Sequence, residues 1–152
     1  MNAADESFLR QAIQLAREAR ANRERPFGAV LVADGQIVAQ GGDQCRVLCD
    51  PTAHAEVLAI GAAAAAAGDW RLAGATCYVT LEPCTMCCGA LLLCRIARVV
   101  YGAHDPRAGA VVSVARLFDG NPYRHQVEVI GGIAAAACAE LLKVFFAGRR
   151  DG

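Results

Sequence analysis

The sequence predicts an α/β fold, a three-layer α-β-α sandwich with parallel crossovers. Three observations carry this. Helical periodicity and short β-branched runs alternate along the chain after an opening hairpin. A parallel strand pair needs a crossover long enough to hold a helix, and the alternation supplies one each time. At 152 residues and 55% hydrophobic, the chain is compact and not disordered, and its length fits one domain over residues 1–152.

Residues 7–21 place Phe8, Ile13, Leu15 and Ala19 among Arg and Glu, an amphipathic helix that ends before Pro26. Residues 29–33 and 36–39 are apolar runs joined by Asp34-Gly35, a strong hairpin signal. A polar loop follows over 41–51, then Thr52 as a helix N-cap and an alanine-rich helix to about Ala67, broken by Gly68. Residues 75–81 form a strand. Pro83 then opens a helix at its first position, where a missing N–H costs nothing, and that helix runs to about Cys94. Residues 98–101 form a buried strand, 107–117 a helix weakened by Gly109, 126–130 a fifth strand and 133–146 a closing helix. No internal repeat interrupts this order.

Fifteen basic and fifteen acidic residues cancel, so the net charge gives no general attraction to nucleic acid. Fourteen of the fifteen basic residues are Arg, with Arg20, Arg23 and Arg25 clustered near the end of the first helix and Arg149 and Arg150 near the C-terminus. Arg can fork onto phosphate, although such a ratio also follows from genome composition. The N-terminal stretch lacks the charged and apolar regions of a secretory signal. No stretch is long and apolar enough to span a bilayer, so the expected location is the cytoplasm. Thiols stay reduced there, and the eight Cys are then metal ligands or small core residues.

Two segments carry chemistry: Thr52-Ala53-His54-Ala55-Glu56 and Glu82-Pro83-Cys84-Thr85-Met86-Cys87. Cys84 and Cys87 are three apart and share one helix face, at a helix start that favours anionic sulfur. A lone C-x-x-C also suits a redox pair. His54 supplies a third ligand, and three protein ligands leave zinc an open position, as in catalytic sites. Zinc bound this way lowers the pKa of water to near 7. Glu56 lies two residues from His54, too close to share the metal comfortably and well placed to carry protons. H-x-E together with P-C-x-x-C resembles the signature of the zinc deaminases. Cys88 competes with Cys87 on spacing alone, though a small residue packed on the sheet is its plainer reading. Cys45 and Cys49 could form a second metal or redox pair. Cys77, Cys94 and Cys138 read as core filler, and His104 and His125 as candidates near the substrate.

The chain resembles the bacterial tRNA adenosine deaminases of the cytidine deaminase-like superfamily. The resemblance is carried by Pro26-Phe27-Gly28-Ala29-Val30-Leu31-Val32, by Asp50-Pro51 with the His54 segment, by residues 78–90 and 95–103, and by Asp105, Gly109-Ala110, residues 125–129, Phe145-Phe146 and Arg149-Arg150. It implies a five-stranded mixed sheet, a homodimer that helps build the substrate groove, one zinc per subunit, and hydrolytic conversion of adenosine to inosine at the anticodon wobble position. His54, Cys84 and Cys87 match the zinc ligands and Glu56 the proton shuttle. Ala103, His104 and Asp105 match the loop beside the target nucleotide, and Phe145, Phe146, Arg149 and Arg150 the helix along the RNA.

The departures fall where substrate binds. Gly42-Asp43 stands where the family has Trp-Asn, Cys45 replaces a Pro, and Phe27 stands in place of Val. An ionised Asp43 can only accept hydrogen bonds and would repel a nearby phosphate. This keeps a second reading open: deamination of a free base, nucleoside or related amino-heterocycle, of the guanine or cytosine deaminase kind. A third reading, a binding module with structural zinc, gives Glu56 nothing to do.

Overall fold

A computed structural model describes residues 2–147. Nine elements follow in order: α1 (Ala3–Ala21), β1 (Gly28–Ala33), β2 (Gln36–Gly42), α2 (Ala55–Ala67), β3 (Thr76–Leu81), α3 (Thr85–Leu93), β4 (Arg98–Ala103), β5 (Glu128–Gly131) and α4 (Ala135–Ala147). The strands form one sheet in the order β2-β1-β3-β4-β5. β1 pairs antiparallel with β2 and β3, whereas β3–β4 and β4–β5 are parallel, so the sheet is mixed.

Strand periodicity divides the core. Ala29, Leu31, Cys77, Val79, Val99 and Tyr101 point to one face, against Ala55, Ala59 and Ala63 of α2 and Cys88, Leu91 and Leu92 of α3. Val30, Val32, Tyr78 and Val100 point to the other, against Leu9 and Ala12 of α1. α4 completes that layer through Cys138 and Leu141, which pack with Ile13 and Ala16. Small side chains let the helices sit close. A Cβ at Gly28 would overlap the Ala12 carbonyl, so α1 nearly touches the backbone of β1.

The hairpin turn uses Asp34 and Gly35, both with positive φ (51° and 75°), as the Asp-Gly signal requires. α1 begins four residues earlier than periodicity suggests, because Asn2 caps it by accepting from the N–H of Asp5. Thr52 is not the N-cap of α2. Its N–H and hydroxyl both turn back onto Asp50, and His54 takes the cap position. Pro83 likewise lies outside α3, whose N-cap is Cys84. The expected helix over 107–117 is a series of turns instead, because the N–H groups of Val111, Val112 and Ser113 all go to the buried Glu82 carboxylate. The β4–β5 crossover therefore carries no α-helix.

Candidate metal centre

The parallel β3–β4 pair and the two helix starts α2 and α3 converge at one end of the sheet. The caps of these helices are His54 and Cys84, each held extended (ψ 151° and 178°) before the first turn. Cys87, three residues after its partner, lies in the first turn of α3. His54 Nδ1 is 3.7 Å from Cys84 Sγ and 3.4 Å from Cys87 Sγ. Tetrahedral zinc with usual bond lengths separates a nitrogen from a sulfur ligand by about 3.6 Å, so the donor set fits that metal in type and in spacing. Among the described residues no other His, Cys, Asp or Glu trio gathers this way.

The electrostatics favour an anionic sulfur at Cys84. The hydrogen bonds from Cys87 and His54 bring the Cys84 thiol down to about 3, so that sulfur is a thiolate. Cys87 moves the other way, since the bond it makes to that thiolate and its burial both hold its proton. His54 is raised through its bond to Cys84. Two helix N-termini add positive potential behind the sulfurs. The spacing ambiguity at Cys88 also ends here: its thiol is fully buried in the core and donates to the Pro83 carbonyl.

Glu56 sits in the first turn of α2, 6% exposed, and burial raises its pKa. It lines a cavity of about 430 Å³ together with His54 and Cys84. That volume lies in the range of small-ligand sites. Val79, Leu81 and Leu142 give the cavity apolar walls, and Arg25, Phe27, His104, Asp105, Arg107 and Phe146 complete much of the rest.

Of the six residues expected to contact substrate, Phe27, His104, Asp105 and Phe146 line this cavity. Ala103 does not. It is buried at the end of β4, its carbonyl taken by the N–H of Glu82. Asp43 does not either. Its carboxylate is fully buried behind Arg25, which donates to both oxygens. The side chain that reaches the cavity from this corner is therefore Arg25, and the expectation that Asp43 faces substrate and repels phosphate gives way. His125 lies apart, donating through Nε2 to the Ile96 carbonyl at 2.6 Å. Cys45 donates to Asp43 and Cys49 to the Arg46 carbonyl, and neither belongs to a metal-like cluster. Arg149 and Arg150 lie outside the described residues.

Sequence reasoning gave no role to Glu82. Its carboxylate accepts from the N–H groups of Asp105, Val111, Val112 and Ser113 and from the Ser113 hydroxyl. Burial alone would raise it, but these donors bring it down to about 2. Gly109 allows the approach, since a Cβ there would overlap the Glu82 carboxylate. The loop that walls the cavity is thus hung on one buried anion, a role that sequence spacing could not signal.

Residues 2–103 match the family model described as the cytidine and deoxycytidylate deaminase zinc-binding region. The tRNA-specific adenosine deaminase of Agrobacterium fabrum is 47% identical over 143 residues, 94% of each chain. That of Bacillus subtilis is 43% identical over 142 residues, 93% of this chain and 88% of the relative. A solved structure from work on A-to-I editing by tRNA:A34 deaminases at the wobble position superposes with a TM-score of 0.87 at 47% identity, covering 90% of this chain and 99% of the other. A guanine deaminase structure from Bacillus subtilis superposes with a TM-score of 0.66 at 34% identity, covering 100% and 96%.

Proposed function

The chain belongs to the zinc-binding cytidine and deoxycytidylate deaminase family, and from that premise we propose that it converts adenosine to inosine at the anticodon wobble position of tRNA. The observation that carries the reading is the cavity in which His54, Cys84 and Glu56 meet under apolar walls, on a chain 47% identical to a tRNA-specific adenosine deaminase over nearly its full length. A base flipped from the anticodon loop would enter the cavity that Phe27 and Phe146 line.

Zinc held by His54, Cys84 and Cys87 would supply a Lewis acid that acidifies water. Glu56 takes a proton from the attacking water and delivers it to N1 of the purine. It then takes the remaining proton from the new C6 hydroxyl and passes it to the amine, so ammonia leaves, the C6 carbonyl forms and inosine keeps the proton on N1. Burial favours the protonated form of Glu56, so its carboxylate is a stronger base toward that water than an exposed glutamate. Val79, Leu81 and Leu142 exclude bulk water, and the Glu82-anchored loop holds His104 and Asp105 at the cavity wall.

The described residues share one sheet, which supports a single deaminase domain over 1–152. A homodimer is the assembly this surface fits. α2 and α3 together contain one charged side chain, Glu56, and it is buried. Their outer faces leave Gly61, Ala62 and Leu93 exposed, and a helix apolar all round calls for cover. No helix among the described residues is long and apolar enough to cross a membrane; a cytoplasmic place for the enzyme accords with a tRNA substrate.

The second reading, deamination of a free base such as guanine, is supported by the full-length likeness to the Bacillus subtilis guanine deaminase. Incubation with an anticodon stem-loop RNA and with a panel of free purines and pyrimidines separates the two, with Glu56→Ala as the blank. Inosine at the wobble position supports the first reading. Ammonia from a free base alone supports the second and removes the first.

A further inference from the structure

Arg25 is fixed from three sides. Its Nε donates to Asp43 Oδ2 at 2.9 Å and its Nη2 to Asp43 Oδ1 at 3.1 Å, a bidentate fork. Nη2 also reaches Cys45 Sγ at 3.5 Å, and the Cys45 thiol donates to Asp43 Oδ1 at 3.2 Å. The guanidinium lies 5.0 Å from the centroid of the Phe27 ring. Asp43 is fully enclosed, whereas the Arg25 side chain is 36% exposed and lines the cavity. The third guanidinium nitrogen, Nη1, takes no part in the fork.

Stability does not explain the arrangement. Removing a carboxylate from water is costly, and a well-packed apolar pair often serves the fold as well as an ion pair. What the pair provides is a guanidinium of fixed orientation beside the substrate. Besides Glu56, which the chemistry uses, the cavity's acids are occupied: Glu82 is saturated by donors, and Asp105 accepts from the N–H groups of Arg107 and Ala108. Arg107 also lines the cavity, its guanidinium 5.0 Å from the Phe146 ring and, among the described residues, without an ion pair. The walls are apolar, as a base requires, and two guanidiniums flank them, as a phosphate requires.

We propose that Arg25, locked in place by Asp43, is a specificity-determining residue that donates through Nη1 to a phosphate oxygen of the nucleotide at the mouth of the site. This rests on the tRNA reading above for the source of that phosphate. Asp43 is a positioning residue that acts through Arg25. The Asp43 carboxylate thus serves phosphate binding indirectly, the reverse of what its charge suggests.

The test uses the zinc-loaded protein and four forms: wild type, Arg25→Gln, Asp43→Asn and the double variant, in which no unpaired carboxylate stays buried. Substrates are an anticodon stem-loop RNA and the same RNA with a neutral methylphosphonate at the linkage on either side of the target. Arg25→Gln is expected to raise KM about tenfold, with kcat within about threefold. It should lower the salt slope of log kcat/KM by about one. One methylphosphonate should cost wild type a similar factor and cost Arg25→Gln nothing further. The double variant should match Arg25→Gln, since Asp43 acts through the arginine. An unchanged salt slope in Arg25→Gln, or methylphosphonate losses equal in wild type and variant, would overturn the proposal. If wild type leaves the RNA untouched, the tRNA reading fails by itself. The arginine is then tested on a nucleoside against its 5′-monophosphate: a preference for the monophosphate that Arg25→Gln abolishes supports it, and equal turnover overturns it. Should Arg25→Gln fold poorly, judged by zinc content and thermal midpoint, the double variant carries the same comparison.

Discussion

The Ser113 hydroxyl donates to the Glu82 carboxylate across thirty-one positions of sequence, and this contact joins the loop after β4 to the residue two before Cys84. Three further N–H groups from residues 111–113 converge on the same carboxylate. The wall of the cavity and the metal-binding turn are therefore one unit.

Glu82→Gln should lower stability by roughly 2–4 kcal/mol, because an amide returns a donor where only donors already point and removes the charge that strengthens each bond. Ser113→Ala should cost about 1 kcal/mol. Urea denaturation of the two variants measures both, and a Glu82→Gln midpoint equal to wild type would remove the anchoring role.

Glu56→Ala should lower kcat by roughly 10²–10⁴-fold while zinc content stays at one per chain. Metal analysis alongside the turnover assay separates proton transfer from ligation. Variant protein that is equally active would refute the proton-shuttle assignment.

Chelation should abolish activity without unfolding the protein, since the core against α2 and α3 is built from aliphatic and aromatic side chains and buried thiols outside the metal trio. Circular dichroism is expected to keep its helical signal, and added zinc to restore turnover. Collapse of the fold on chelation would make the metal structural. Cys88→Ala, by contrast, should retain zinc, because its thiol points to the Pro83 carbonyl.

Stability should fall on the acid side through Asp5. Arg98 grips its carboxylate with two bonds of 3.1 and 3.0 Å, and Tyr78 donates at 2.7 Å. Hydrogen bonding to Arg98 first of all lowers the Asp5 pKa below its usual 3.8. A depressed carboxylate contributes stability above its unfolded value and loses it as pH falls through the folded one. Asp5→Asn should therefore destabilise by about 1–3 kcal/mol at neutral pH, and the gap to wild type should close below about pH 4. Denaturation midpoints at pH 7 and pH 3 test this; a gap independent of pH would show the charge to be irrelevant.

Much of the site was readable from local spacing. His54 and Glu56 are two apart, and Cys84 and Cys87 three apart, so the backbone alone fixes which side chains share a helix start. The boundaries were less readable. Thr52 looked like a cap and instead bonds to Asp50, and 107–117 looked helical while its N–H groups serve Glu82. Both errors come from side chains that compete for the same backbone donors.

The sequence by itself determined the hairpin and the two short motifs, His54 with Glu56 and Cys84 with Cys87, because within each the residues lie a few positions apart and the turn or helix start dictates their geometry. The fold brings the two motifs together across thirty positions. Only the tertiary structure decided which groups face the cavity. Arg25 and Asp43 are eighteen positions apart, and nothing in their spacing tells which of them is buried. Folding encloses the carboxylate and turns the guanidinium to the cavity, because a buried acid must be paired while an arginine can satisfy it and still reach solvent.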